Sequence, residues 1–124
     1  VVANFAGERV TITTSVNSTL VTILPRPNFD SYGNSGAMAI SLAVLAGAKR
    51  IITLGLDCQY MNGKRHHFGN HPTGLGNALS VKKWPASFKR LAANAKGKGV
   101  EVLNASRSTA LDCFERVSLE EALG

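Results

Sequence analysis

Asp57 stands directly after the apolar, β-branched run 50–55 (RIITLG). A carboxylate there could bind a metal ion, hold a ribose hydroxyl or act as a base, and it could equally cap the turn that follows. Further on, Lys64-Arg65-His66-His67-Phe68-Gly69-Asn70-His71-Pro72 gathers all three histidines of the chain. Histidine titrates near neutral pH, so His66, His67 and His71 are candidates for general acid–base work. They could also ligate zinc or another transition metal, or contact phosphate, or serve structure alone. Gly69 and Pro72 argue against a helical pair from His67 and His71. Lys64 and Arg65 beside them would neutralise an anion. Cys58 could be a nucleophile, although an inert buried thiol is the commoner case. Tyr60 could stack on a base or pack in the core.

A second cluster lies upstream. Gly33-Asn34-Ser35-Gly36 leads into the apolar segment 36–46 (GAMAISLAVLA). A helix beginning there, capped by Asn34 or Ser35, presents free N–H groups and the positive end of its dipole, and glycine lets an anion approach. Simple helix capping explains the same residues, and neither a P-loop nor a full G-x-G-x-x-G pattern is present.

These residues need elements to hold them. The 36–46 helix is apolar almost all round, which predicts cover on most sides, and Gly47 is its expected stop. The 50–55 run predicts a central parallel strand buried on both faces. Residues 9–15 (RVTITTS) and 20–24 (LVTIL) read as strands; with only 16–19 between them, they are expected to form a hairpin or one bent strand. Residues 25–33 are a loop. Strand, helix and strand then make a βαβ unit. Residues 56–83 lack periodicity, and loops of that length are usually functional or disordered. Residues 84–95 (WPASFKRLAANA) form an amphipathic helix with Trp84, Phe88, Leu91 and Ala92 or Ala95 on one face and Pro85 in its first turn. A strand at 100–103 completes a second βαβ unit, and 104–108 is a polar turn. Short helices are expected at 109–114 and 118–123, the latter opened by a capping box of Ser118 and Glu121. The pattern predicts an α/β fold: one Rossmann-like, three-layer domain over residues 1–124 with a mostly parallel sheet. In such sheets ligands bind beyond the carboxyl ends of the strands, where the loops 25–35 and 56–83 and the turn 104–108 converge.

Charge points to the ligand. The 124-residue chain carries a net +6, and no Asp or Glu lies between Asp57 and Glu101. That stretch holds Lys64, Arg65, Lys82, Lys83, Lys89, Arg90, Lys96 and Lys98. A field of one sign attracts phosphate, nucleotides or nucleic acid, although lysines also coat ordinary helix faces. The interleaved aromatics of single-strand binders are missing. An apolar fraction of 44% excludes wholesale disorder. No apolar run reaches the ~20 residues of a membrane helix, and no signal peptide is visible. Cys58 and Cys113 read as reduced thiols of a cytoplasmic protein.

Residues 33–60 (GNSGAMAISLAVLAGAKRIITLGLDCQY), followed by Gly63-Lys64-Arg65-His66-His67, resemble a superfamily that includes motility accessory factors, MptE-like hydroxymethylpterin diphosphokinases and bacterial sialyltransferase-like enzymes. The shared features are a Gly/Ser turn, an Ala-rich helix ending in Gly, a strand ending in Gly-x-Asp and a His-containing loop. Bacteriophage-encoded proteins carry a similar pattern, with a His-Pro loop and a later Trp-led helix. The resemblance implies a Rossmann-like fold and a nucleotide-dependent transferase, glycosyltransferase-like. Its donor would be a cytidine-linked sugar with a histidine base, or ATP with Mg²⁺. It carries over Gly33, Asn34, Ser35, Gly36 and Asp57 as ligand contacts, and one of His66, His67 or His71 as the base. Full-length members have a substantial N-terminal region, and this chain begins at Val1, so truncation there is expected. Part of the site would then come from that region or from a neighbouring subunit of a homo-oligomer. The alternatives are a non-catalytic binder of nucleic acid or another anion, and a phage structural or assembly protein descended from the enzyme fold.

Overall fold

The computed structural model describes residues 6–8, 10, 11, 22, 23, 29–60, 63 and 81–124. It is mixed α/β. Its elements run β1 (Val10–Thr11), β2 (Thr22–Ile23), α1 (Ser35–Leu45), β3 (Arg50–Thr53), a short 3₁₀ turn (Val81–Lys83), α2 (Trp84–Gly97), β4 (Glu101–Asn104), β5 (Glu115–Arg116) and α3 (Leu119–Leu123).

The main sheet has three strands in the order β3-β4-β5, all parallel. The helix α2 connects β3 to β4, as the second βαβ unit requires, and aligns Arg50 with Glu101 and Thr53 with Asn104. The side chains of that first pair form an exposed ion pair. β1 and β2 form a separate two-stranded ladder.

That ladder corrects the expected hairpin. Val10 pairs with Thr22 and Thr11 with Ile23, and the strands run parallel. The hairpin was inferred from a link of only 16–19. The two observed pairs share one chain direction, which a hairpin does not allow; residues 12–21 lie outside the described residues. Among the described residues β2 does not pair with β3, so the first βαβ unit is not closed in a common sheet.

The helix α1 begins where the sequence places it. Asn34 has extended backbone (φ −153°, ψ 152°), and its side chain accepts from the Ala37 N–H. Its buried stripe is Ala37, Ile40 and Ser41. Leu45 is exposed, so cover is less complete than an all-round apolar helix predicts. β3 is likewise half-buried, with Arg50 exposed, where burial on both faces was expected. The difference has one cause: β3 is an edge strand among the described residues, and Leu54 beyond it is largely exposed.

The core lies where α1 and α2 meet. Tyr32, Ala37, Ile40, Phe88, Leu91, Leu111 and Phe114 are buried together, with Ile51, Leu56, Trp84 and Val102 against them. Full burial of Phe88 and Leu91 contributes about 1.5–3 kcal/mol for each side chain. Phe88 and Phe114 meet edge to face, 6.1 Å between centroids.

The expected helix at 109–114 does not form. Leu111 and Phe114 have helical spacing, yet both are buried from an irregular segment. The Thr109 hydroxyl accepts from the Leu111 N–H and donates to the Leu56 carbonyl, a competition with helix that threonine regularly wins. The chain therefore stays extended enough to add β5, which the sequence did not announce. α3 follows with its capping box intact: Ser118 N–H donates to Glu121 at 2.8 Å, and Glu121 N–H to Ser118 Oγ at 3.1 Å. Among the described residues, no helix is long and apolar enough to cross a membrane.

Candidate functional site

A cleft of about 340 Å³ opens beyond the end of β3. The start of α1 gives it Asn34, Ser35 and Gly36; the segment after β3 gives Gly55, Leu56, Asp57, Cys58 and Gln59; the 3₁₀ turn gives Val81, and α2 gives Trp84 and Phe88. Five of the residues singled out in the sequence, Asn34, Ser35, Gly36, Asp57 and Cys58, thus line one cavity. Gly33 does not; it is exposed, and its φ of +72° makes the turn before the cap. Lys64, Arg65, His66, His67 and His71 lie outside the described residues.

The α1 wall is set by its cap. Asn34 Oδ1 accepts from Ala37 N–H at 2.8 Å, leaving the N–H groups of Ser35 and Gly36 without an acceptor among the described residues, as first-turn amides are by geometry. Gly36 has a steric role as well. A Cβ there would stand 3.1 Å from Leu56 Cδ1 and 3.6 Å from Phe88 Cζ. Upstream, α2 holds the approach to the helix. Arg90 pairs with Asp30 at 2.6 Å and lies over the Tyr32 ring at 4.9 Å, while Asn94 donates to the Tyr32 hydroxyl at 2.8 Å. Those contacts keep Tyr32 buried at a φ of +51°, which costs a non-glycine residue about 1–3 kcal/mol.

The Asp57 wall is set from the segment after the neighbouring strand β4. Leu56 N–H donates to Ser106 Oγ at 2.8 Å, and the Leu56 carbonyl accepts from Thr109 Oγ1 at 2.7 Å. The Asp57 carbonyl accepts from Ala110 N–H at 2.8 Å. Fully buried Asn104 supports this link by accepting from Ser106 N–H at 3.1 Å. The Asp57 backbone is therefore fixed, while its half-buried carboxylate forms no hydrogen bond or ion pair among the described residues. The alternative of a turn cap at Asp57 finds no such bond.

Cys58, next in line, has a φ of +50°. Burial, then Cys113 and Asp57, push its thiol up to about 11; burial also raises Cys113. Both cysteines are free. A neutral, half-buried thiol is a poor nucleophile.

Sequence reasoning overlooked three contributors. Trp84, expected only on the apolar face of the 84–95 helix, also walls the cleft, because α2 starts at the carboxyl end of β3. Ser106 and Thr109 were read as turn and helix residues, and only the fold shows that they hold Leu56. Among the described residues no group of three or more His, Cys, Asp or Glu could hold a metal ion. On α2, Lys89 pairs with Asp112 at 3.1 Å and Arg90 with Asp30, so part of the basic stretch is neutralised within the protein.

No family model, curated protein or solved structure matches the chain.

Proposed function

We propose that the chain is a Rossmann-like, three-layer domain that binds a nucleotide or nucleotide-sugar in this cleft and serves a glycosyltransferase-like transfer. The observation that carries the reading is the pairing, in one cavity, of two amides at the start of α1 with a carboxylate beyond β3, none of them with a hydrogen-bond partner among the described residues. The amides and the helix dipole suit a phosphate. Asp57 suits a ribose hydroxyl, which a carboxylate accepts from without charge repulsion, and the Trp84 ring suits a base or sugar face. The position beyond the carboxyl end of a parallel strand is the usual one for such ligands.

One carboxylate does not make a protein-held metal site. It fits Mg²⁺ arriving with a diphosphate, since that ion is commonly held by one or two carboxylates plus substrate oxygens; Asp57 would be its protein ligand, and the ion would neutralise phosphate charge. In the transfer, the acceptor hydroxyl loses its proton to a base, a histidine of 66–71 in this reading. Its oxygen bonds to the sugar carbon as the bond from that carbon to the phosphate oxygen breaks, and the electron pair leaves on the nucleotide. The ion pairs on α2 lower the field available to a nucleic acid, which favours a small anionic ligand over that alternative.

Calorimetry against CMP, CDP, UDP, ATP and the corresponding nucleotide-sugars tests the proposal. Saturable binding that weakens in Asp57→Ala is expected. Absence of binding by every nucleotide would sink it.

A further inference from the structure

A second cleft, of about 790 Å³, shares Gly55 and Asp57 with the first and opens on the other side of the β3 end, toward the 105–108 turn and α3. Arg107 and Arg116 are both among its lining residues. All eight acidic residues of the chain lie among those described. Asp30, Glu101 and Asp112 pair with other cations, and none of the eight pairs with Arg107 or Arg116. Arg116 is nevertheless held in place. Its Nη2 donates to the carbonyls of Ser106 at 3.1 Å and Arg107 at 3.2 Å, which leaves further donors of its five N–H groups for a ligand. The cleft also has apolar walls in Leu54 and Leu119, which are 61% and 38% exposed. Its acids are Asp57, at the boundary with the first cleft, and Glu120.

We propose that this cleft is the acceptor subsite, and that the acceptor is a hydroxyl- or amine-bearing organic acid. Its acid group sits on Arg107 and Arg116, its apolar body on Leu54 and Leu119, and its hydrogen-bond donor faces Asp57. Cations and acids in one cleft suit a ligand that is anionic at one end and donates hydrogen bonds at the other, and they suit a plain polyanion poorly. The acceptor role rests on the nucleotide reading of the first cleft, because Asp57 is the wall that the two clefts share.

Titration with 4-hydroxybenzoate, followed by amide shifts, tests this. The ligand should saturate and move the signals of 105–108 and 116–120, whereas phenol, which lacks the acid, should not. Arg107→Gln should weaken binding about tenfold or more and Arg107→Lys less, with melting temperature and CMP binding unchanged, since no hydrogen bond of the Arg107 side chain is lost among the described residues. If 4-hydroxybenzoate fails to saturate, or binds Arg107→Gln as tightly as the parent, the proposal is overturned. If 4-hydroxybenzoate binds as expected but CMP does not bind the parent protein, the nucleotide reading and the acceptor role fall together, while the organic-acid site stands.

Discussion

Thr109 Oγ1 donates a 2.7 Å hydrogen bond to the carbonyl of Leu56, across 53 residues of sequence. Ser106 Oγ takes the N–H of the same leucine, so two hydroxyls from the segment after β4 hold both peptide groups of the residue just before Asp57. Thr109→Val keeps the shape and removes the donor. It leaves a part-buried carbonyl and the Leu111 amide unsatisfied, which should cost about 1–3 kcal/mol in urea unfolding. The same variant should weaken nucleotide binding, because one of the three hydrogen bonds that fix the backbone around Asp57 is lost. Unchanged stability would mean that the Leu56 carbonyl is served equally well by water.

Asn34 allows capping to be separated from ligand binding. Asn34→Ala removes the bond to Ala37 N–H and should destabilise by about 1 kcal/mol, and Asn34→Gly by only a few tenths. Asn34→Asp keeps the cap and adds a charge favourable to the dipole, giving up only a 3.4 Å bond to the Tyr32 carbonyl. Its stability should hold or rise. Yet a second negative charge in the cleft should weaken phosphate binding. Asn34→Asp that binds nucleotide as well as the parent would show that no phosphate sits at the start of α1.

The contrast between α1 and residues 109–114 shows what the sequence could reveal. Asn34, the apolar run and Gly47 are all local signals; cap, helix and stop follow from neighbours within a turn of one another. The same is true of Ser118 with Glu121. Leu111 and Phe114 carry an equally local helical spacing, but the decisive contact of that segment is Thr109 with Leu56, which depends on β3 and β4 already lying side by side. β5 was missed for the same reason. The parallel pairing of β1 with β2 is a contact between segments, and alternation of β-branched residues along each segment does not carry its direction. For the site, Asp57 and the Asn34–Gly36 turn were legible because both sit at element ends. Trp84, Ser106 and Thr109 became part of it only through the packing of α2 and β4.

Cys58 should titrate late. Its thiol is raised from 9.0 to about 11, by burial first. An acid raised on folding leaves stability intact below the unfolded value and erodes it as pH climbs through the folded one. Stability should therefore fall between about pH 9 and pH 11, over and above the losses from other groups. At pH 8 iodoacetamide should label native Cys58 at least about tenfold more slowly than the unfolded chain. Because burial outweighs Cys113 as the cause, Cys113→Ser should leave the Cys58 titration well above 9.0. Fast labelling of native Cys58 at neutral pH would instead mark it as a reactive thiol.

Gly36 tests whether the first cleft works through the exposed amides of α1. The nearest obstacle to a methyl group there is Leu56 Cδ1 at 3.1 Å, the far end of a side chain, so a shift of a few tenths of an ångström relieves it. Alanine also favours helix over glycine by up to about 1 kcal/mol, so the two effects oppose each other and Gly36→Ala should melt within a few degrees of the parent. The methyl nevertheless enters the cleft beside the Ser35 and Gly36 amides, where close approach of an anion depends on the missing Cβ. Nucleotide affinity should fall severalfold while the fold is preserved, a combination that neither a capping defect nor a packing defect produces. Undiminished affinity in a stable Gly36→Ala protein would move the phosphate away from the start of α1 and leave Asp57 and Trp84 as the ligand contacts to examine.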